Sequence, residues 1–259
     1  MSDAWALNTY EACDIRCSYC ITQAQGISTP RRPASTMAAD VAAALDELGE
    51  PRRMVVGCYA DAYPSPEPEL RVTRAALEVL VERGLDFRLV TKGTAVELDA
   101  DLFHHPATSI QISVTTHDAE AAAGLEPGAA PPAQRLAVAH RLAQQGVQVI
   151  IQISPWTPGI TDVAALLELV PRRVRVQVVP LRLPSYLTRA RRTLQLTQLQ
   201  VNEAYHREFD RVGSDPRVHW ARPPRPDGAP PHIVHNLGSH APEDWSPAPI
   251  APDPGSPRW

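Results

Sequence analysis

Along this chain, apolar runs of about half a dozen residues alternate with longer stretches in which apolar positions recur every three or four residues. Trp5–Tyr10 reads as a short strand. Ser35–Leu48 reads as a helix capped by Ser35 or Thr36, with Val41, Leu45 and Leu48 on one face. Arg53–Tyr59, through Met54, Val55 and Val56, suits a strand buried on both faces. Pro68–Arg83 reads as a helix with proline in its first turn, Leu70, Leu77, Leu80 and Val81 apolar, and Gly84 as its stop. The alternation then recurs. Further strands are expected at Asp86–Thr91, Ser109–Thr115, Val147–Ser154 and Arg173–Val179. A short helical turn is expected at Asp99–Phe103, with helices at Pro132–Gln145, Asp162–Val170 (Thr161 as N-cap) and Thr197–Val212. Strands alternating with helices predict right-handed βαβ units and a parallel sheet. Six strands do not close an eight-stranded barrel. The fold expected is therefore α/β: a partial (βα)6 TIM-type barrel with a C-terminal helix, its site at the carboxyl ends of the strands.

Composition adds boundaries. A chain of 259 residues, 44% hydrophobic and 21% charged, suits one large core. That core is assigned to residues 1–213. Of the 27 prolines, 11 fall in the last 38 residues, Arg222 to Trp259, which excludes helix and central strand there. Residues 214–259 are read as a Pro-rich C-terminal tail laid across the barrel mouth, pinned by Ile233, Val234, Leu237 and Trp245. No apolar run reaches 18 residues, and Met1–Trp5 carries no basic or long apolar leader. A cytoplasmic protein without a membrane partner is expected. A net charge of −4 argues against a nucleic-acid surface. Four cysteines are too few for a disulfide scaffold.

Three of the four crowd into one loop. Cys13, Cys17 and Cys20 form C-x3-C-x2-C just after the first strand. Three thiolates so placed can hold three irons of a [4Fe–4S] cube and leave the fourth open to an exogenous ligand. The same spacing also admits a zinc site lacking its fourth ligand, to which His232, His235 or His240 would contribute, or three structural thiols. A second cluster has no ligands, because Cys58 alone remains.

C-x3-C-x2-C with an aromatic, Tyr19, before the last cysteine resembles the radical S-adenosylmethionine (SAM) superfamily. Tyr59-Ala60-Asp61-Ala62-Tyr63-Pro64-Ser65-Pro66-Glu67, Val90-Thr91-Lys92, Ile112–Thr116, Leu125-Glu126-Pro127 and Pro158–Asp162 are similar to its spore photoproduct lyase-like branch, over roughly residues 5 to 182. The resemblance implies a [4Fe–4S] cluster on Cys13, Cys17 and Cys20, with SAM chelating the open iron. It also implies an external electron donor such as flavodoxin or ferredoxin. It places Lys92 and Ser113 at the methionine carboxylate and Tyr19 beside the cofactor, and Asp61 is a candidate acceptor for the methionine amino group. Lys92 also reads as a solvated lysine before a turn, Ser113 as a backbone-satisfied serine, and Asp61 as a turn cap. Ala60 stands where the lyases carry a cofactor-binding serine.

Cys58 ends the second strand, at the spacing to Asp61 of the cysteine that those lyases use as hydrogen-atom donor; it also reads as a small buried hydrophobe. Ile21 replaces the lyases' relay tyrosine, so Cys58 would need an external reductant. The function expected is a radical SAM enzyme acting on a small metabolite, of sugar or nucleoside type, with Cys58 returning hydrogen in an epimerisation or other redox-neutral change. The alternatives are a lyase, rearrangement or sulfur-insertion enzyme with Cys58 structural, or a non-catalytic iron–sulfur module. Tyr63 and Trp156 are candidates for stacking on a ligand or for core packing, His117 for acid–base work or for capping, and Arg182 with Arg189–Arg192 for an anionic group or for a solvated loop or helix start.

Overall fold

In a computed structural model, which describes residues 4–10, 13–20, 24, 34–49, 53–105, 108–183 and 187–221, seven parallel strands lie side by side in chain order. They are β1 (Ala4–Leu7), β2 (Arg53–Val56), β3 (Phe87–Thr91), β4 (Ser109–Ser113), β5 (Val149–Trp156), β6 (Arg175–Pro180) and β7 (Val218–Trp220). The helices are α1 (Ala34–Leu48), α2 (Glu67–Leu70), α3 (Val72–Glu82), α4 (Ala119–Leu125), α5 (Pro132–Gln144), α6 (Val163–Leu169), α7 (Thr188–Leu194) and α8 (Gln198–Val212), with a 3₁₀ segment at Thr94–Leu102. The α/β partial barrel expected from the alternation is present. All six expected strands form, and β7, three residues long, joins beside β6 from beyond residue 213. The tail residues 222–259 lie outside the described residues.

Register explains the two faces of the sheet. Leu7, Val56, Leu89, Ile110 and Val149 align across neighbouring strands, and all are buried against the helices. One residue along, the side chains point to the opposite face. There Gln111 Nε2 donates to Gln177 Oε1 at 2.9 Å, and Ser113 Oγ to Gln152 Oε1 at 3.1 Å. The barrel interior therefore mixes hydrogen-bonded amides with apolar residues such as Val90 and Val179.

The expected Pro68–Arg83 helix is two helices. Arg71 takes φ 52° and breaks the run into α2 and α3. The cause is tertiary. The fully buried Glu67 turns its carboxylate back onto the N–H groups of Val72, Thr73 and Arg74 at 3.0, 2.9 and 3.1 Å, replacing the local cap that α3 lacks. At α6 the cap is Asp162, accepting from Ala165 N–H, and not Thr161, whose hydroxyl bonds Thr115 O. Likewise α1 starts at Ala34, so Ser35 and Thr36 lie inside it. Thr197 caps α8 with a full capping box to Gln200.

Candidate functional site

The loops that leave the carboxyl ends of β1–β6 enclose a cavity of about 290 Å³. Cys13, Cys17, Cys20, Tyr19, Cys58, Asp61, Lys92 and Ser113 all line it. Its far wall is made by Gln152, Val179, Leu181, Arg182 and Leu187.

The loop carrying Cys13, Cys17 and Cys20 is tied down on both sides. Tyr10, at its start, donates its hydroxyl to Glu67 at 2.5 Å, and Ser65 donates to Asp14. On the other side Ser18 N–H bonds Leu125 O at 2.8 Å and Gly128 N–H bonds Ile15 O at 2.9 Å. The main chains approach so closely that a Cβ on Gly128 would lie 2.5 Å from Asp14 O. The Leu125-Glu126-Pro127 segment is thus the floor on which the cysteine loop rests. Burial raises the Cys13 thiol, while backbone N–H groups of Asp61 and Ile15 directed at its sulfur act the other way. Burial pushes Cys17 up to about 12, against the pull of the Lys92 ammonium. Among the described residues, no three His, Cys, Asp or Glu side chains converge on a single-ion site.

Lys92 follows β3, held there by Asp61. That carboxylate accepts from Tyr63 N–H at 2.9 Å, from the Thr91 hydroxyl, and from Lys92 N–H at 2.6 Å. Asp61 therefore ties the β2 loop to the end of β3. Burial opposes the charge on Lys92, but Cys17, Glu126 and Asp61 outweigh it and keep the ammonium above its ordinary range. Gly93 is required by close approach, since a Cβ there would sit 2.3 Å from Tyr63 O. Gly93→Ala should cost about 1–3 kcal/mol, visible as a lower melting temperature; an unchanged melting temperature would show that this turn yields freely.

Behind the cavity lies a group of polar residues that the sequence reading did not single out. Glu126, fully buried, accepts hydrogen bonds from the hydroxyls of Tyr19 and Thr115 and faces Arg135 at 2.8 Å. Arg135, 1% exposed, donates to Ser113 O at 2.8 Å. The Tyr19 ring lies beneath Lys92, whose Nζ is 5.7 Å from the ring centroid. A signal for Arg135 exists in the sequence: it shares a helical face with Val138, Ala139 and Leu142, where a guanidinium needs a buried partner.

Cys58 opens on the cavity and is solvent-exposed rather than packed. Its surroundings raise rather than lower the thiol, so it stays protonated near neutrality. Asn8 bonds the adjacent Tyr59 N–H at 3.0 Å and sits 4.0 Å from the Cys58 sulfur. The structure decides three other open alternatives. Tyr63 is buried with its hydroxyl on Asp99 at 2.7 Å, and Trp156 is buried edge-on to Tyr205, so neither offers a face to a ligand. His117 is exposed, and its neighbour Asp118 caps α4. Arg182 lines the cavity, whereas Arg189, Arg191 and Arg192 sit exposed on α7. Ile21 and the histidines at 232, 235 and 240 lie outside the described residues.

Residues 7–170 match the family described as "Radical SAM superfamily". The chain is 26% identical over 173 residues to the uncharacterized proteins Rv2578c of Mycobacterium tuberculosis and Mb2609c of Mycobacterium bovis, covering 61% of this chain and 51% of each of them. It thus spans about half the length of the curated relatives it matches. Among solved structures it is similar to Streptococcus suis SuiB bound to S-adenosylmethionine, with TM-score 0.62, 10% identity and coverage of 84% of this chain and 49% of that one. A spore photoproduct lyase variant with bound AdoMet and dinucleoside spore photoproduct gives TM-score 0.60, 14% identity and coverage of 83% and 75%. A radical SAM methyltransferase from Sphaerobacter thermophilus gives 0.53, 18%, and 84% and 66%. At these identities the likeness to solved structures is one of fold.

Proposed function

The chain belongs to the radical SAM superfamily, whose enzymes use a [4Fe–4S] cluster and SAM, and from that premise we propose how its own residues divide the work. Cys13, Cys17 and Cys20 would hold the cluster. The donor chemistry fits: three thiols on one tethered loop share a cavity with a lysine ammonium, and two backbone N–H groups already point at the Cys13 sulfur, as a metal-bound thiolate requires. When bound and reduced by one electron, the cluster and SAM supply a 5′-deoxyadenosyl radical able to take a hydrogen atom from a substrate carbon.

Lys92 offers its ammonium to the cofactor carboxylate. Asp61 serves the cofactor site by fixing the Thr91–Lys92 end of β3, and Ser113 by orienting the Gln152 carboxamide at the cavity wall. Tyr19 supports Lys92 from below. The substrate is a small metabolite of sugar or nucleoside type, a size supported by the 290 Å³ space and a polarity supported by Gln152 and Arg182 beside Val179 and Leu181. Cys58 keeps its S–H at neutral pH and donates the hydrogen atom to the substrate carbon: the S–H bond breaks, a C–H bond forms, and a thiyl remains. An external donor of flavodoxin or ferredoxin type restores the thiol with one electron, and solvent supplies the proton, so SAM is consumed. Among the described residues no helix is long and apolar enough to cross a membrane.

The single observation carrying this reading is the meeting of Cys13, Cys17, Cys20, Lys92 and Cys58 at one cavity. Thiol hydrogens exchange with solvent, which supplies the test. Anaerobically reconstituted protein, given SAM, dithionite and candidate sugars or nucleosides in D₂O, should make 5′-deoxyadenosine and a product bearing one deuterium. Cys58→Ala should still make 5′-deoxyadenosine but lose the deuterated product. Unlabelled product, or an unaffected Cys58→Ala protein, would remove the hydrogen-donor role and leave a lyase or rearrangement.

A further inference from the structure

Glu126 lies outside the cavity lining, yet three of the positions just assigned lead back to it. Its Oε1 takes the Tyr19 hydroxyl, which sets the ring that lies under Lys92. Its Oε2 faces Arg135, which in turn holds the main chain of β4 at Ser113 O. Thr115, just beyond β4, closes the group by donating to the same Oε1. Through Tyr19 these contacts join the cysteine loop to Thr115, 96 residues on, and to Glu126, 107 residues on, and Thr115 and Glu126 are bonded to each other. A carboxylate with no exposed surface is costly to bury. Here the carboxylate pairs with Arg135 behind it at 2.8 Å, and on the cavity side it faces the positive field of Lys92, which lies over the ring of the Tyr19 that it holds.

We infer that Glu126 is the positioning residue of this site: through Tyr19 it sets the Cys17–Cys20 limb of the loop, and through its charge it balances the Lys92 ammonium offered to the cofactor carboxylate. This rests on the reading of the three cysteines and Lys92 given above, and it makes two separable demands. The hydroxyl link serves loop geometry. The negative charge serves electrostatics, because without it Arg135 loses its buried partner and Lys92 keeps only Asp61 and the cysteine sulfurs as anionic neighbours, and a more positive surrounding favours the reduced cluster.

Two variants separate these demands. Tyr19→Phe removes the link and keeps the charge; Glu126→Gln removes the charge. In metal-free protein, both should speed amide hydrogen exchange at Cys17–Cys20 while the strands exchange as in wild type. In reconstituted protein with full iron, both should weaken SAM binding by about 10–100-fold, the range for losing a partner of a metal-site ligand. Only Glu126→Gln should move the cluster's reduction potential to less negative values in an EPR-monitored titration. If Glu126→Gln does not fold, Tyr19→Phe, which leaves the Arg135 pair intact, decides on loop exchange and SAM affinity. Wild-type loop exchange and SAM affinity in Tyr19→Phe would overturn the inference, as would an unmoved potential in a folded Glu126→Gln. A wild-type protein that takes up no iron would refute the cluster reading alone; the loop exchange of the metal-free variants would then still decide for or against Glu126 as the positioning residue.

Discussion

Cys17→Ala protein will fold with a near wild-type melting temperature and yield no 5′-deoxyadenosine, a drop of at least about a hundredfold, since losing even an outer partner of a metal ligand costs up to that much. The two halves of this expectation have different origins. Folding survives because the Cys17 thiol is not what holds the loop. Tyr10 on Glu67, Ser65 on Asp14, Ser18 N–H on Leu125 O and Tyr19 on Glu126 do so, and none passes through the Cys17 sulfur. Chemistry is lost because two thiols remain where three are needed, and no other cysteine stands in. Cys58 belongs to a different loop, beside Asn8. The measurement is 5′-deoxyadenosine by mass spectrometry from anaerobic protein, SAM and dithionite, with iron content and melting temperature taken on the same sample. Wild-type yield from the alanine variant would take Cys17 out of the ligand set.

The largest effect on stability is expected away from the cavity. Glu67→Ala should cost about 4 kcal/mol, because four donors, three of them buried and one partly so, lose their acceptor together and each unsatisfied buried group costs about 1–3 kcal/mol before the surroundings relax. Those donors are the Tyr10 hydroxyl and the N–H groups of Val72, Thr73 and Arg74. For a chain of this size that corresponds to a melting temperature lower by about 10 °C. Calorimetry or circular dichroism reads it directly. A fall under about 3 °C would mean that water or a shifted α2 replaces the carboxylate. Because Tyr10 stands three residues before Cys13, the same variant should also loosen the start of the cysteine loop. A buried carboxylate on α2 thus serves both helix capping and site geometry.

Glu67 also shows where reading the sequence stops. Apolar spacing from Leu70 to Val81 is helical throughout, and nothing within four residues announces a break at Arg71. The break exists because Glu67 finds α3 in space and caps it from outside the local motif. Thr197 is the opposite case: its capping box with Gln200 is contained in four residues, so the start of α8 was legible. The strand β7 was not. Val218-His219-Trp220 carries little pattern, and it becomes a strand only because β6 presents a free edge. Within the site, the cysteine spacing and the place of Lys92 just after a strand are local facts. Glu126 stood inside a motif that could be quoted but not explained. Its partners Tyr19 and Arg135 come from a loop 107 residues before it and from the next helix.

The amino-acid sequence alone determined the six strands β1–β6 and the main helices between them, the partial barrel that follows, the family, and the cysteine loop, because each is written in spacings of a few residues that hydrogen-bond geometry and metal-ligand geometry read directly; β7, α4, α7 and the break at Arg71 were not among them. Tertiary structure alone decided that Asp61 spends its carboxylate on the end of β3, that Tyr63 and Trp156 are packed away, that Cys58 is open to the cavity, and that Glu126 balances Lys92 and Arg135. Those outcomes depend on which groups must share a buried space, where every donor needs an acceptor and every charge a counter-charge, and only the folded chain brings those groups within reach.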